Sequence, residues 1–593
     1  MSAQSSIYNP SITTSAATGE GFSVPRNTTA GRLATVFTTA DDGMMVFDTD
    51  LNNLFIWNGT AWESIPASGD STNTQVIFND NGLLAGDAGL LYDKTLKRLT
   101  VAGNVRISRG LSNQGTSTAV GDDTLDVTVA GATANTAIGY RAASQLTTGT
   151  LNTGVGYLAL KGAVGAFTGG SNTAVGANAG LQVSSGGSNS FFGKATGGAV
   201  TTGSFNVAVG HDALANTAQA SSGDNNIAIG NTAMFSASPV TGSNNVGIGK
   251  DTLRDLSTAS GNVAIGLSAG NLLTTGLNNT FVGNSTGAAN TTGAGNVGLG
   301  VNAFNRTGGS GHTGNDNIAI GNAALLSSGV IAGNDNIGIG QSSLRSLTTG
   351  TYNIAIGVNT GNFNVSGGNN IAIGLFAGEK NLVANDTIAI GQAALRNNTV
   401  ANTIAIGVNA LNANTTGTGN TAIGISALSS AVANIQNTAL GYQAGKSLSA
   451  SDVTAVGYNA LALATGGTGN TAVGSNAMAV GVTTGSYNTA VGTGAGSVLA
   501  GGQHNTFLGT NAGSTTAGGS SNICIGRDSI AGGASNGNDI AIGSTAYWVG
   551  TDTLPNQYFT SATALSTGVL PATCGFFRIY INGTARKIAV YAV

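Results

Sequence analysis

The sequence predicts an all-β protein whose centre is an elongated, homotrimeric β-solenoid (β-roll) of about 25 coils on a 17-residue repeat. Small N-terminal β modules and a C-terminal β hairpin cap flank it. Three observations carry the prediction. One short unit recurs 25 times between Ser117 and Gly543, as in Asn135-Thr-Ala-Ile-Gly139, Asn226-Ile-Ala-Ile-Gly230, Asn353-Ile-Ala-Ile-Gly357 and Asn488-Thr-Ala-Val-Gly492. Successive closing glycines lie 16 to 21 residues apart, most often 17, and such a period marks a solenoid whose units stack. Finally, glycine ends every copy and Asn, Thr and Gly fill the connections, a composition that disfavours helix.

The residue before the closing glycine is a large apolar one in all 25 copies, and three before it is β-branched in 24, Ser190 being the exception. Two before, it is Ala in 17 copies, Gly in four (Gly154, Gly247, Gly298, Gly338), Phe in three (Phe191, Phe281, Phe507) and Cys524 once. Three after the glycine only Ala, Thr or Ser occurs. Strand alternation puts the β-branched and Ile/Val positions on one face and the Ala position on the other. Neither face collects charge, so both are expected to be buried, one inside a coil and one against a neighbour. Seventeen residues at about 3.3 Å each close a circuit of about 56 Å, and 25 coils at about 4.8 Å give a shaft on the order of 120 Å.

A single coil of this kind has little interior to offset the entropy of ordering its residues. Self-association is therefore expected. The small Ala face suits close approach around an axis, and a parallel homotrimer is the expected form.

The Asn-x-Ala-Ile-Gly-x-x-Ala unit resembles the head repeat of trimeric autotransporter adhesins, and the resemblance implies a left-handed parallel β-roll wound as a trimer. It covers about 430 residues, with a longer spacing here than is usual in that family.

From the start of the chain, only 8 % of 593 residues are charged, the net charge is −4, and no basic run suggests nucleic acid as a partner. Strict apolar periodicity and positive mean hydropathy set the chain apart from disordered segments of similar glycine content. Residues 1–30 read as a flexible arm lacking the apolar core of a secretory signal. No stretch of 18 apolar residues suggests a membrane-spanning helix. Without a signal or a membrane barrel, the adhesin resemblance is confined to the shaft.

Residues 31–70 read as a β module: Met44-Met-Val-Phe-Asp48 as a strand, then a hairpin turning at Asn58-Gly59 in a type I′ turn. With Asp48-Thr-Asp50 and Asn52-Asn53, it resembles small N-terminal modules of phage tail and fibre proteins, which implies attachment to the virion. Residues 71–116 form a second β module at the shaft entry, whose Asn73–Gly82 and Leu90–Val101 stretches resemble ones found in phage tail fibres. The repeat shaft spans 117–543. Residues 544–593 form a cap or tip, closing with Gly575-Phe-Phe-Arg-Ile-Tyr-Ile-Asn582, a turn at Asn582-Gly583, and Arg586-Lys-Ile-Ala-Val-Tyr591. This hairpin resembles C-terminal hairpins of some phage fibres. It is expected to cover the last coil and register the chains, with Trp548, Tyr558, Phe559 and Tyr580 as receptor-contact candidates.

Motifs that mimic chemistry dissolve into the repeat. Gly154-Val-Gly156-Tyr-Leu-Ala159 matches a dinucleotide-binding pattern, which would need a strand leading into a helix, but the pattern recurs where Gly fills the Ala position of the repeat, as at Gly298, so repeat chemistry explains it. Gly314-Asn-Asp-Asn317 and Gly333-Asn-Asp-Asn336 read as Asx turns bonded to their own backbone rather than calcium loops. His211, His312 and His504 read as isolated surface or loop histidines, and Cys524 and Cys574 as small buried residues. No catalytic, cofactor-binding or metal residues and no cofactors are expected. Sparse acidic residues argue against a glycan-cleaving pair, hence against an enzyme.

These readings lead to a structural virion fibre, a phage tail fibre on the extracellular surface of the particle. Its N-terminal region meets other tail or baseplate proteins, and its distal C-terminus meets a host cell-surface glycan or protein. Loop insertions such as 163–171 and 306–315 would decorate the shaft. The alternatives are a capsid-attached head fibre or decoration protein, an ice-binding solenoid and a bacterial surface adhesin. Neither nucleic acid nor membrane insertion is expected.

Overall fold

The computed structural model describes residues 26–34, 43–51, 53–65, 73–80, 83–93, 98–101, 105–108, 116–126, 131–162, 167–216, 220–309, 311–531, 534–535, 537–543, 547–549, 559–561, 576–581 and 584–589. The chain divides into two compact units, Met1–Asn225 and Asn226–Val593.

The first unit begins with a four-stranded sheet. β1 (Arg26–Asn27) pairs parallel with β2 (Met45–Asp48), and β2, β3 (Asn53–Trp57) and β4 (Trp62–Ile65) follow antiparallel. Helix α1 (Thr29–Ala34) has its start fixed by side chains: Gly31 N donates to Thr28 Oγ1 at 3.1 Å and Thr29 N to Asp50 Oδ2 at 2.9 Å. The expected hairpin forms, with Trp57 opposite Trp62, but the type I′ turn does not. The connection runs from Asn58 to Ala61, with Gly59 at φ 85° and Asn58 absent from the left-handed positions. Asn58 Oδ1 instead accepts from Thr60 N at 3.0 Å and Ala61 N at 2.7 Å, an Asx-type loop that holds the longer connection. β5 (Asn73–Asp80), β6 (Leu83–Asp93), β7 (Arg98–Val101) and β8 (Val105–Ser108) form an antiparallel meander, and β8 pairs with the first solenoid strand, Thr118–Val120.

Six parallel three-residue strands follow in this unit, from Thr118–Val120 to Val207–Val209. Nineteen more in the second unit run from Ile227–Ile229 to Ile540–Ile542. Equivalent repeat positions stack in register, as where Thr136, Ala137 and Ile138 face Thr153, Gly154 and Val155. After Ile542 the ladder turns antiparallel through Tyr547–Val549 and Phe559–Ser561, and Phe576–Ile581 pairs with Thr584–Ala589 as a separate hairpin. Asn582-Gly583, expected to turn that hairpin, and Cys574 lie outside the described residues.

The closing glycine is required twice over. At Gly230 φ is 137°, and an added Cβ would lie 2.4 Å from the carbonyl oxygen of Gly249 in the next coil. The four residues after it form a turn in which the second and fourth take left-handed φ even when they are not glycine, as at Asp251 (56°) and Leu253 (47°). That conformation swings the fourth residue inward, so Leu160, Leu253, Phe304 and Leu411 are buried in the coil. The Ala, Thr or Ser one position earlier is buried beside them. Gly154 and Gly156 sit at a strand and its corner, and no helix follows, so the dinucleotide pattern is repeat chemistry.

Asparagine four before the closing glycine forms an internal ladder. Asn279 donates through its backbone N (2.9 Å) and Nδ2 (3.0 Å) to Asn262 Oδ1, and through Nδ2 to the Gly293 carbonyl at 2.9 Å. Asn296 N then donates to Asn279 Oδ1 at 2.9 Å. The Asp-Asn clusters belong to this ladder. Asn317 Nδ2 reaches Asn296 Oδ1 at 3.1 Å and the Gly333 carbonyl at 2.9 Å, besides its own turn at Asn315 O. The expectation of purely local Asx turns is corrected: stacking in register brings an identical amide within reach on each side.

Candidate self-association surface

In all 25 strands the middle residue is buried and its two neighbours face outward, half-buried or exposed. The expectation that the Ala face packs against sister chains is therefore corrected. Ala228, Ala355 and Ala490 are fully buried within their own chain. The reason is volume: the inward Leu or Met of the same turn or of a neighbouring coil, as Leu344 beside Gly361, leaves room for little more than a methyl from the strand. At Gly338 even a Cβ would fall 2.6 Å from Leu325 Cδ1.

The three phenylalanines at this position confirm the direction. Gly197 beside Phe191, Gly287 beside Phe281 and Gly513 beside Phe507 replace the usual inward residue of the turn, and an added Cβ there would lie 2.3–2.5 Å from the ring. Ring and turn side chain compete for one internal space.

What faces outward is thus the β-branched and Ile/Val/Leu pair. Ile356 is 37 % exposed and Leu508 47 %, and Phe192, Ile229, Ile265 and Leu440 are exposed alike. Within each unit the residues before the closing glycines form an unbroken apolar row, flanked by a row of Ile, Val or Thr (once Ser190) and without a charged residue, far beyond the scattered apolar residues of an ordinary surface. Its margins carry stacked aromatics, Tyr140 on Tyr157 (5.5 Å) and Tyr442 on Tyr458 (5.3 Å). They also carry ion pairs, Arg141–Asp123 (3.5 Å) and Arg527–Asp528 (3.1 Å). An apolar centre with a polar rim is the anatomy of a protein interface.

The N-terminal sheet holds the other concentrated polar cluster. Arg32 Nε contacts Asp48 Oδ2 at 3.0 Å, and its guanidinium lies 3.7 Å over the Phe55 ring. Burial alone would raise the Asp48 carboxyl, but hydrogen bonds from Leu51 N, Arg32, Thr29 and Asp50 N outweigh it and hold the group below the usual carboxylate range. Asp48 is thereby the post that ties α1, β2 and the following turn together.

Other expected residues fall as follows. Trp548 lies in a strand opposite Thr560, Phe559 lies opposite Val549, and Tyr580 lies opposite Ala585, whereas Tyr558 is outside the described residues. Cys524 is buried in the alanine row, and burial raises its thiol to about 11, with the Asp539 charge adding. His211 contacts Asp212 at 2.9 Å and His504 stacks on Tyr487 at 5.3 Å.

His312 departs from expectation. It is fully buried, 5.4 Å from the Phe304 ring, and its Nδ1 accepts from Ile331 N at 2.9 Å. Burial pushes it down to about 4, the Asn305 carbonyl opposing and the Arg306 charge adding. The insertion carrying it turns back into the coil instead of standing off as decoration, and Phe167 of the other insertion is likewise buried, bridging to Leu146.

Residues 4–76 match the family described as phage tail like trimerisation region, a span that contains the Arg32–Asp48 sheet. No curated protein and no solved structure matches the chain. Together, the N-terminal match and the long β-solenoid fit a phage tail fibre with a β-roll shaft, and they support self-association as a homotrimer. Among the described residues no helix is long and apolar enough to cross a membrane.

Proposed function

We propose that the protein is a structural tail fibre that carries a phage to its host surface, with residues 31–70 attached to the virion and residues 544–593 distal. Three chains would associate along their outward Ile/Val ribbons, with the inward alanines staying within each chain. The observation that carries the reading is that ribbon, exposed in a single chain and charge-free through every coil. The N-terminal match to a trimerisation region supplies the stoichiometry. In this reading other tail or baseplate proteins bind the N-terminal region and a host glycan or protein binds the tip. Trp548, Tyr558, Phe559 and Tyr580 are the first receptor candidates. Its role is mechanical and adhesive rather than enzymatic.

Light scattering of the full chain is expected to give three times the 57.9 kDa monomer. A monomeric mass would refute the association. Immunogold labelling of native particles with antibodies to residues 31–107 and 544–593 tests the polarity. Tail-proximal and distal label respectively is the expected result, and label around the capsid would make the protein a head fibre.

A further inference from the structure

We propose that the coil interior beside Asn381 is a binding site for one buried water molecule, held by a hydrogen bond from the water to Asn381 Oδ1. Seven residues after the closing glycine, ten coils bury an apolar side chain, such as Leu256, Leu273, Leu347 or Leu448. Four consecutive coils instead place asparagine there: Asn364, Asn381, Asn398 and Asn414. In the same stretch the inward residue of the turn is Gly361 and then Gly378, so the leucine that fills other coils is missing twice. The result is an internal cavity of about 10 Å³ lined by Asn364, Asn370, Asn381 and Thr387 among alanines, room for the centre of one water molecule.

The polar atoms around it are satisfied except one. Asn364 Oδ1 accepts from Gly367 N at 2.9 Å. Asn370 Oδ1 accepts from Thr387 N at 3.1 Å and Thr387 Oγ1 at 2.6 Å. Asn381 Nδ2 donates to Thr387 Oγ1 at 3.0 Å, which leaves that hydroxyl one lone pair. Asn381 Oδ1 is buried with no partner among the described residues, and Asn381 as a whole is 4 % exposed. An unpaired amide oxygen in an apolar coil needs a donor, and water supplies one. A cation does not fit, because calcium or magnesium takes six or more oxygen ligands and only one carbonyl-type oxygen here is free.

A high-resolution crystal structure of the full chain tests the site, beside that of Asn381→Leu, which restores the residue other coils carry. One density peak about 2.8 Å from Asn381 Oδ1 is expected in the native protein and none in the variant. An empty cavity, an Asn381 oxygen paired to a protein donor, or a peak ringed by five or six oxygens at about 2.4 Å would each overturn the proposal. A peak that persists in the variant would overturn it too. If the variant does not crystallise, the contacts of the native peak decide.

Discussion

If Phe281 and the turn residue share one internal space, exchanging both should restore what exchanging either destroys. Phe281 is fully buried and stacks on Phe304 at 6.2 Å. Phe281→Ala removes a ring the coil cannot close over, at a cost of about 3–5 kcal/mol. Gly287→Leu alone puts a Cβ 2.5 Å from that ring, overpacking that costs about 1–3 kcal/mol or more. Independent effects would sum to about 4–8 kcal/mol. The double variant instead recreates the ordinary coil, Ala in the strand with Leu in the turn, as at Ala422 and Leu428. Leucine tolerates the required φ, since Leu253 adopts 47° where Gly287 adopts 62°. Leu is smaller than Phe, and the ring also covers Gly270, so about 2–3 kcal/mol of the loss should remain. A favourable coupling of about 2–5 kcal/mol is therefore expected. Native-state hydrogen exchange at the Val282 and Gly283 amides reads local opening, with the Ile404–Ile406 strand as an internal control. A double variant as unstable as the sum would refute the shared space, and with it the inward direction of the alanine row.

Other expectations follow from the same geometry. Ile339→Glu combined with Ile356→Glu places charge on the outward ribbon and should lower the mass in light scattering while circular dichroism keeps its strand signature. Asn279→Leu strands the Asn296 amide inside the coil, while the Gly293 carbonyl keeps its bond from Asn290 Nδ2, and should cost about 1–3 kcal/mol in local exchange protection around Thr280. His312 is held neutral at about 4 in the fold against an unfolded value near 6.5, so the unfolded chain binds the extra proton between these values. Stability should fall as pH drops from about 6.5 to about 4, by about 3 kcal/mol per chain at most, and His312→Leu should flatten that slope in melts across pH.

The period, the strand position within each repeat and the closing glycine were all legible in the sequence, because each is enforced at every coil. Which strand face points inward was not. Alanine suits a crowded interior and a close chain–chain approach equally well, so residue size alone does not discriminate. The discriminating signal was present in the pairing of Phe191 with Gly197, Phe281 with Gly287 and Phe507 with Gly513, which has meaning only if strand and turn side chains meet inside one coil. The ladder asparagine was visible as a recurrent letter, but its chemistry depends on an identical residue one coil away, which local turn rules do not consider. His312 was missed because its burial follows from an insertion folding back onto Phe304, a tertiary event without a periodic trace.

The outward ribbon then acquires a meaning that the fold of one chain does not give it. Each coil already closes its interior with alanine, an inward turn residue and the asparagine ladder, so nothing internal requires Ile or Val on the outside. A solvated three-residue strand would hold as well with Lys or Gln before the closing glycine, and such a face would resist unwanted pairing better. Repeating Ile, Val, Leu or Phe at the outward position before the closing glycine in all 25 strands therefore answers a demand from outside the chain, and in-register stacking makes that row equivalent from coil to coil within each unit. Equivalence has a drawback: identical rungs allow chains to associate one coil out of step. A trimerisation region at residues 4–76 resolves this, since three chains aligned at one end need no register information along the shaft. Deleting that region should thus leave association intact but heterogeneous in register, a mixture resolvable by cross-linking cysteines placed at Ser475, whereas loss of association altogether would show that the ribbons do not bind by themselves.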